Sequence, residues 1–305
     1  MRIGTRRSAL ALAQAELVAR MLGEQSGSAP VEIVPIVTGG DRGAGPADKS
    51  RWVSELEQAL LEERIDLAVH SAKDVPGQLA PGTGLLATTR RAPAEDALCG
   101  AEALESLPEG ARVGTSSLRR LAQLRAARED LEVVPVRGNV DTRLAKLADP
   151  EQRLDAIVLA RAGLVRLGRE DEAGGTLDPA RFVPAPGQGA LALQGRRDDE
   201  ATRLAAEAIG DEPSLRCLRA ERALAVELEA DCDTPLGAHA VGSADGTMTL
   251  RAWVGLPDGS AWALDELTGE QGAPEALGAA VAERLRVAGA QSLLEGAREM
   301  AADDR

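Results

Sequence analysis

The segment HSAKDVP, residues 70–76, concentrates side chains that could do chemistry. It continues the apolar run IDLAVH (65–70), which predicts a buried strand that delivers Ser71, Lys73 and Asp74 to the loop at its carboxyl end. Open parallel sheets bind ligands at this edge. Asp74 is therefore a candidate for moving protons or stabilising a cation. An acidic residue in such a turn also commonly serves the turn alone or pairs with a neighbouring lysine, and that interpretation stays open.

A second segment, GTSSLRR (114–120), places small hydroxyl residues at the start of a predicted helix. Free backbone N–H groups at a helix N-terminus bind carboxylates or phosphates. Arg119 and Arg120 fall in the first turns of this helix, where they add two cations. The segment predicts an anion site.

A third segment, VRGNVDTRLAKL (136–147), brings Arg137 at a strand end and Arg143 in the following helix. Taken alone, these arginines are slightly more typical of a solvated charged face than of a binding site. Arg6 and Ser8 follow the first predicted strand, so cationic groups lie at several strand ends. Such convergence suits a ligand that carries several carboxylates.

The cysteines are odd in number, and with the two histidines they show no paired metal-ligand spacing, so we expect no metal site. Cys99 follows Ala97 and Leu98, and Cys217 lies on a predicted helix, and both places are typical of buried cysteine. Cys232 lies instead in the loop sequence LEADCDTPLG (228–237). The acidic residues on either side of it disfavour a thiolate, which argues against a hydrolytic cysteine nucleophile.

The composition narrows the class of partners. A net charge of −14 and an isoelectric point near 4.8 oppose nucleic-acid binding, which needs a basic face. No apolar run approaches the roughly 20 residues that span a bilayer, and polar residues interrupt the N-terminal apolar stretch early, so we expect a cytoplasmic protein without a membrane segment.

The periodicity predicts alternating strands and helices from the start to about residue 90 and again from about residue 111. PAPGQGALALQ (184–194) is interpreted as a crossover strand. From about residue 212 we expect a helix, strands separated by Asp-Gly turns, and one last long helix over 274–299 with Val287 on its apolar side. The fold class is therefore α/β with a small α+β part at the end.

Seven segments in this order resemble the porphobilinogen deaminase family over nearly the full chain: TRRSALALAQ (5–14), AVHSAKDVP (68–76), GTSSLRR (114–120), RGNVDTRLAKL (137–147), LARAGLVRLG (159–168), PGQGAL (186–191) and DCDTPLG (231–237). No single string would suffice. Their combination, which includes strand-end motifs and a cysteine loop, is highly specific.

The resemblance implies a transferase, a hydroxymethylbilane synthase of tetrapyrrole (haem) biosynthesis. Such an enzyme holds a dipyrromethane cofactor, made from substrate, by a thioether to Cys232. Four porphobilinogen molecules lose ammonia and join head to tail on this primer, and water then releases the linear product. By this resemblance, Asp74 matches the catalytic carboxylate of the family. A fixed carboxylate stabilises the positive charge that a reacting pyrrole gains.

The resemblance also implies a set of binding residues, because every pyrrole carries an acetate and a propionate. Positions matched to cofactor contacts are Cys232, Lys73, Ser8, Ser71, Thr115, Ser117, Arg119, Arg120, Arg137 and Gly189. Positions matched to substrate contacts are Arg6, Gln14, Arg143, Arg166, Gln188, Lys49 and Trp52.

The chain departs from the family pattern at two places. Its 38–51 loop is shortened and has only Lys49 where two lysines are usual. Trp52 stands where a phenylalanine is common. The resemblance implies a monomer with three domains: 1–90 completed by 190–207, then 93–185, then 212–305. The first two would resemble type II periplasmic binding proteins, with a cleft between them, and the third would carry the cysteine loop.

Two other classes of function remain as alternatives. A non-catalytic anion-binding module could use the same fold, although the context of Cys232 argues against it. A cysteine or serine hydrolase would need an oriented base, and His70, Ser71 and Asp74 are too close along one strand to form a triad.

Overall fold

The computed structural model describes residues 1–26, 30–37, 50–230 and 234–303, with the side chains of 26, 50–52, 302 and 303 left undescribed. The chain divides into two compact units. Unit 1 comprises Met1–Ala92 and Gly189–Leu218, and unit 2 comprises Pro93–Gln188 and Arg219–Arg305. The division into three domains stays a prediction.

Unit 1 is built on a mixed sheet with the strand order β2-β1-β3-β10-β4. Its strands are β1 (Arg2–Arg6), β2 (Glu32–Ile36), β3 (Leu67–Ser71), β4 (Thr83–Thr88) and β10 (Leu191–Arg196). β1 pairs in parallel with β2 and β3, whereas β10 is antiparallel to both of its neighbours. A strand from late in the chain therefore lies between two early strands.

Helices cover this sheet with apolar side chains. They are α1 (Ala9–Ser26), α2 (Ser50–Leu61) and α6 (Glu200–Ala208). Val18 and Leu22 of α1 share one buried cluster with Leu67 and Leu193 of the sheet. Leu56 belongs to a second cluster, which α2 forms with β3. The Ser8 hydroxyl caps α1 by accepting the Ala11 N–H at 3.3 Å.

Unit 2 contains a second mixed sheet with the corresponding order β7-β6-β8-β5-β9. Its strands are β5 (Asp96–Cys99), β6 (Arg112–Gly114), β7 (Glu132–Val134), β8 (Ala156–Ala160) and β9 (Gly175–Leu177). The helices that follow its parallel strands are α3 (Leu118–Ala127), α4 (Val140–Ala148) and α5 (Arg161–Arg166). β6 is parallel to β7 and β8, and β5 is antiparallel to both neighbours, as β10 is in unit 1.

A third, antiparallel sheet completes unit 2. It consists of β11 (Leu236–Gly242), β12 (Thr247–Gly255) and β13 (Trp262–Glu270), joined at the two predicted Asp-Gly turns. α7 (Glu212–Glu227) precedes this sheet, and α8 (Pro274–Val287) and α9 (Ala290–Asp303) follow it. The prediction of an α/β fold with a small α+β part is confirmed.

Two predicted elements differ from the structure. The strand expected over 184–194 begins only at Leu191, because Gly187 and Gly189 have φ of +75° and +87°, which interrupts extended backbone. The single helix expected over 274–299 is divided after Val287, where Gly289 has φ of +93°. Val287 is 83% exposed, so its predicted place on the apolar side is wrong.

Candidate active site

A pocket in unit 1 lies where β1 and β3 end. It encloses about 430 Å³ of empty space, part of it open to solvent. Five of its lining residues were predicted from the sequence as site residues: Arg6, Ser8, Gln14, Ser71 and Asp74. The other lining residues are Leu10, Ala11, Val53, Val69 and His70. The pocket thus combines a guanidinium, a carboxylate, hydroxyls and an apolar wall.

Local structure explains why these side chains meet. Arg6 is the last residue of β1, and Ser71 is the last residue of the adjacent parallel strand β3. Asp74 ends the short 3-10 turn Ala72–Asp74 that follows β3. Gln14 reaches the same edge from α1, and its Nε2 donates to the Ser71 Oγ at 2.8 Å. The buried Gln14 amide therefore fixes the rotamer of Ser71.

His70 forms the buried floor of this pocket. The pKa of His70 is lowered to about 4, chiefly by burial. The charge of Asp74 acts to raise this pKa, and the charge of Arg6 acts to lower it. His70 is consequently neutral at physiological pH. Asp74 and Arg6 line the same pocket as His70.

Unit 2 contains a buried cluster of charged and polar side chains around Asp96. Asp96 Oδ2 accepts Arg119 Nη2 at 2.8 Å, and Oδ1 accepts Arg120 Nε at 3.1 Å and Nη2 at 2.8 Å. Gln188 Nε2 donates to the same Oδ1 at 2.7 Å. We call these four residues the Asp96 cluster. It brings together three side chains that the sequence predicts as binding residues.

The Asp96 cluster carries excess positive charge. Burial would raise the pKa of Asp96, but Arg119 and Arg120 outweigh it, and the pKa lies well below the usual range. Asp96 is therefore ionised, and one carboxylate faces two guanidinium groups. Arg119 Nε is buried and has no hydrogen-bond acceptor among the described residues. The cluster retains one positive charge.

The other predicted residues of unit 2 lie around the ends of β6, β7 and β8. The Thr115 hydroxyl is buried and accepts the Ser117 N–H at 3.2 Å, at the start of α3. Arg143 Nε donates to the Gly138 carbonyl at 2.8 Å, and Arg137 is exposed. Burial lowers the pKa of Arg166 to about 10.

Five predicted residues remain. Lys73 is half-buried in the turn that carries Asp74. Cys232 and Lys49 lie outside the described residues, as does the side chain of Trp52. Gly189, with φ of +87°, accepts the Ala92 N–H on its carbonyl oxygen at 3.1 Å.

The sequence did not point to Asp96 or to Glu221. Glu221 is buried and accepts the Gly187 N–H at 2.6 Å and the Ala240 N–H at 2.7 Å. Asp96 stands in PAEDALC, where a pair of acidic residues before a short apolar run is an unremarkable pattern. The weak signal for Asp96 is that this acidic residue begins a strand that is otherwise fully apolar.

Two family models match consecutive parts of the chain. Residues 1–204 match the model described as porphobilinogen deaminase, dipyromethane cofactor binding domain. Residues 215–287 match the model described as porphobilinogen deaminase, C-terminal domain. The chain belongs to the porphobilinogen deaminase family. The predicted family, its transferase class and its dipyrromethane cofactor are thereby confirmed.

Relatives in the porphobilinogen deaminase family cover nearly the whole chain. The porphobilinogen deaminase of Deinococcus radiodurans is 43% identical over 307 residues, which cover 97% of this chain and 98% of that protein. That of Thermus thermophilus is 43% identical over 294 residues, with 96% and 97% covered. That of Trichlorobacter lovleyi is 44% identical over 306 residues, with 97% and 96% covered.

Solved structures give weaker likenesses. A structure titled as an ABC transporter from Parabacteroides distasonis has a TM-score of 0.40 and 14% identity, with 74% of this chain and 73% of that chain covered. A TRAP solute binding protein from Rhodoferax ferrireducens, in complex with benzoate, has a TM-score of 0.33 and 9% identity, with 73% and 82% covered. These values carry no inference.

The part of the chain that the structure describes contains neither a metal-type cluster nor a membrane-type helix. No group of three or more His, Cys, Asp or Glu side chains there is placed to hold a metal ion. No described helix is both long enough and apolar enough to cross a membrane.

Proposed function

We propose that this member of the porphobilinogen deaminase family joins porphobilinogen units head to tail with loss of ammonia, and that the unit 1 pocket handles the reacting ring. The observation that carries the proposal is the presence of Arg6 and Asp74 in one pocket that also has an apolar wall. A pyrrole with carboxylate arms needs these three features: a cation for an arm, a carboxylate for the ring, and an apolar surface beside it.

Asp74 is the proposed catalytic carboxylate. It is half-buried at the end of the turn after β3, so it keeps contact with the pocket while being partly shielded from water. When the substrate C–N bond breaks and ammonia leaves, the pyrrole becomes electron-poor. A carboxylate fixed near the ring N–H stabilises that charge and can accept the proton that is lost when the ring regains aromaticity.

Four residues of the pocket are proposed to orient a substrate ring. Arg6 would pair with a ring carboxylate, and Ser8 would donate its hydroxyl to the same kind of group. Gln14 and Ser71 already bind each other at 2.8 Å, so their remaining hydrogen-bonding capacity points in defined directions. A ring held in one orientation presents its reacting carbon to Asp74 in a reproducible geometry.

The dipyrromethane cofactor supplies the pyrrole α-carbon to which the first substrate ring is joined. Its carboxylates call for fixed cations, and the residues of unit 2 fit this requirement. The Asp96 cluster has one positive charge in excess and a buried Arg119 Nε without an acceptor among the described residues. We propose that Arg119 and Arg120 hold cofactor carboxylates, with Thr115, Ser117 and Gln188 beside them.

Further assignments belong to the same proposal. Cys232 would carry the cofactor by a thioether, since Cys99 and Cys217 are buried and burial raises the pKa of the Cys99 thiol to about 11. The remaining proposed contacts are Lys49, Trp52, Lys73, Arg137, Arg143, Arg166 and Gly189. We also propose a cytoplasmic monomer of three domains that binds neither nucleic acid nor membranes.

The proposal is tested by intact-mass analysis of the purified chain before and after porphobilinogen is added. We expect a mass increase of two pyrrole units before addition and further increments of one ring after it. Peptide mapping should place the adduct on Cys232 and leave Cys99 unmodified. A non-catalytic binding module would show no covalent increment, and a hydrolase would show none that grows by single rings.

A Cys232→Ser variant is the matched control, with Cys217→Ser as the second arm. We expect Cys232→Ser to lose the adduct and the activity together, and Cys217→Ser to keep both. An active chain in which Cys232 is unmodified would contradict the proposed attachment site.

A further inference from the structure

Asp96 is a buried titratable group to which the proposed chemistry gives no role. It begins β5 and is 1% exposed, and its backbone pairs with Ala160 and Leu177 on the two neighbouring strands. Its backbone is therefore held at a fixed place between β8 and β9. A buried carboxylate is costly unless hydrogen bonds and counter-charges compensate it, so its contacts indicate what it does.

Those contacts are with both arginines at the start of α3. Arg119 and Arg120 are 4% and 6% exposed, and each donates to Asp96. Each guanidinium also has a second fixed acceptor: Arg119 Nη1 donates to the Val183 carbonyl at 2.8 Å, and Arg120 Nη1 donates to the Val158 carbonyl at 3.0 Å. Asp96 thus acts with two backbone carbonyls to fix the planes of both guanidinium groups.

The charge balance distinguishes this arrangement from a purely structural ion pair. One arginine would suffice to neutralise Asp96 and attach α3 to the sheet. The second buried guanidinium leaves a positive charge that a structural role does not require and that burial makes unfavourable. Arg119 Nε, also buried, lacks an acceptor among the described residues. The arrangement is incomplete without an anion.

We infer that Asp96 is a positioning residue, which holds Arg119 and Arg120 in the orientation that binds a ligand carboxylate and reduces their joint charge to one. The inference rests on the carboxylate-binding role proposed above for the two arginines. Guanidinium groups that are already fixed lose less conformational freedom when the ligand binds. Without Asp96, each arginine would keep its charge but lose its common anchor.

The test uses Asp96→Asn and Asp96→Glu in the full-length chain. Asp96→Glu keeps the negative charge and displaces it by one methylene, so it keeps the ion pairs that folding needs while it moves the guanidinium groups. The matched control is Asp265→Asn, which breaks another bidentate pair, with Arg284 at 2.6 and 2.7 Å, outside the cluster. Circular dichroism and the thermal midpoint measure folding separately from function.

The functional readouts are the fraction of chains that carry the two-ring adduct, from intact mass, and KM and kcat for porphobilinogen. We expect each folded Asp96 variant to show at least a tenfold lower adduct fraction or a tenfold higher KM, which corresponds to the loss of one charge-assisted contact. Asp265→Asn should lower the thermal midpoint only. If Asp96→Asn does not fold, Asp96→Glu decides.

Arg119→Gln separates the positioning role of Asp96 from the carboxylate-binding role proposed for the arginines. If Arg119→Gln and Asp96→Glu are both impaired, the positioning role is supported. If Arg119→Gln is impaired while folded Asp96→Glu loads and turns over normally, the positioning role is overturned and the proposed function stands. If Arg119→Gln is normal, the proposed role of the arginines fails, and the role of Asp96 fails with it.

Discussion

Asp66 and Asp74 stand on either side of β3, and the pair allows a sharp test of the proposed catalytic carboxylate. Asp66 precedes the strand, and its Oδ1 accepts Arg2 Nη2 at 2.6 Å. Asp74 follows the strand and lines the unit 1 pocket. Both residues are acidic and partly buried at the ends of one strand. Only Asp74 is placed to face a substrate.

We expect Asp74→Asn to fold and to keep its primer, but to add rings ~10²–10³-fold more slowly, because asparagine lacks the charge that stabilises a cationic pyrrole. Asp66→Asn should lose some stability with its arginine pair and keep normal turnover in the folded fraction. Single-turnover assays of ring addition on primer-loaded protein provide the measurement. Equal ring-addition rates in Asp74→Asn and wild type would show that Asp74 serves only the turn.

His70 gives the fold a defined dependence on pH. In the unfolded chain the imidazole takes up a proton near pH 6.5, whereas burial lowers its pKa in the folded chain to about 4. As the pH falls between these values, protons bind preferentially to the unfolded chain, so the folded state loses stability. The loss attributable to His70 is on the order of 3 kcal/mol at pH 4 and is absent above pH 7.

We expect His70→Gln to remove this part of the pH dependence. Urea unfolding of wild type and variant at pH 7, 6 and 5 measures it as a difference in the slope of unfolding free energy against pH. His70→Asn, a second replacement that removes the imidazole, should reduce the slope to the same extent. An unchanged slope in His70→Gln would contradict the assignment.

Site residues that lie in recognisable local segments could be predicted from the sequence. Site residues whose role depends on partners far away along the chain could not. Arg6, Ser71 and Asp74 lie in strand-end segments, and strand ends of a parallel sheet meet at one edge. Asp96 is different, because its side-chain partners lie 23, 24 and 92 residues away along the chain. No short pattern encodes such a contact. Only the pairing of β5 inside its sheet reveals it.

At the scale of elements, β10 is the strand on which unit 1 depends. Leu191 and Leu193 of β10 are fully buried, and the strand pairs with β3 on one side and β4 on the other. The segment PAPGQGALALQ predicted a crossover strand over 184–194, which starts earlier than the strand observed at Leu191–Arg196. Its position between two early strands, antiparallel to both, follows from tertiary pairing that a linear pattern does not contain.

A chain that stops after Gln188 should therefore fail to form unit 1, although it contains β1 to β4 entire. Without β10, β4 has no hydrogen-bonded neighbour in the sheet, and β3 has only β1. Hydrogen exchange at the β3 amides Leu67–Ser71 measures the outcome, and we expect exchange with little protection. A chain that ends at Gly289 and lacks α9 is the control, since α9 packs on β12 and β13 of unit 2. Full protection of β3 in the shorter chain would contradict this dependence.

Helices α8 and α9 show that a single glycine can end a helix that the apolar pattern predicts to continue. The periodicity over 274–299 is apolar enough for one helix, yet Gly289 adopts a positive φ and divides it into α8 and α9. Glycine inside a helix costs only about 1 kcal/mol, so its presence alone does not specify an end. The apolar pattern therefore did not indicate where α8 ends.

At the scale of the whole molecule, the charge of the buried Asp96 cluster is opposite in sign to the net charge of the protein. The net charge is −14, yet the buried Asp96 cluster has an excess of one positive charge. An acidic exterior keeps the protein soluble and disfavours polyanions. Buried cations are screened less by salt than exposed ones. The composition predicts that the protein does not bind nucleic acid, and the strand-end arginines predict a local site for a smaller anion.

Unit 1 is built from two separate stretches of the chain, Met1–Ala92 and Gly189–Leu218. This arrangement fixes the order in which the sheets can be completed during synthesis. The ribosome makes β4 and then about a hundred residues before β10 emerges, a delay of roughly 5–20 s at ordinary rates of synthesis. Every strand of the first sheet of unit 2 ends by Leu177, so that sheet can close during this interval. The sheet that begins first is completed second. Until then β3 presents an open edge, which makes this interval the period when the growing chain is most exposed to mispairing with its neighbours on a polysome.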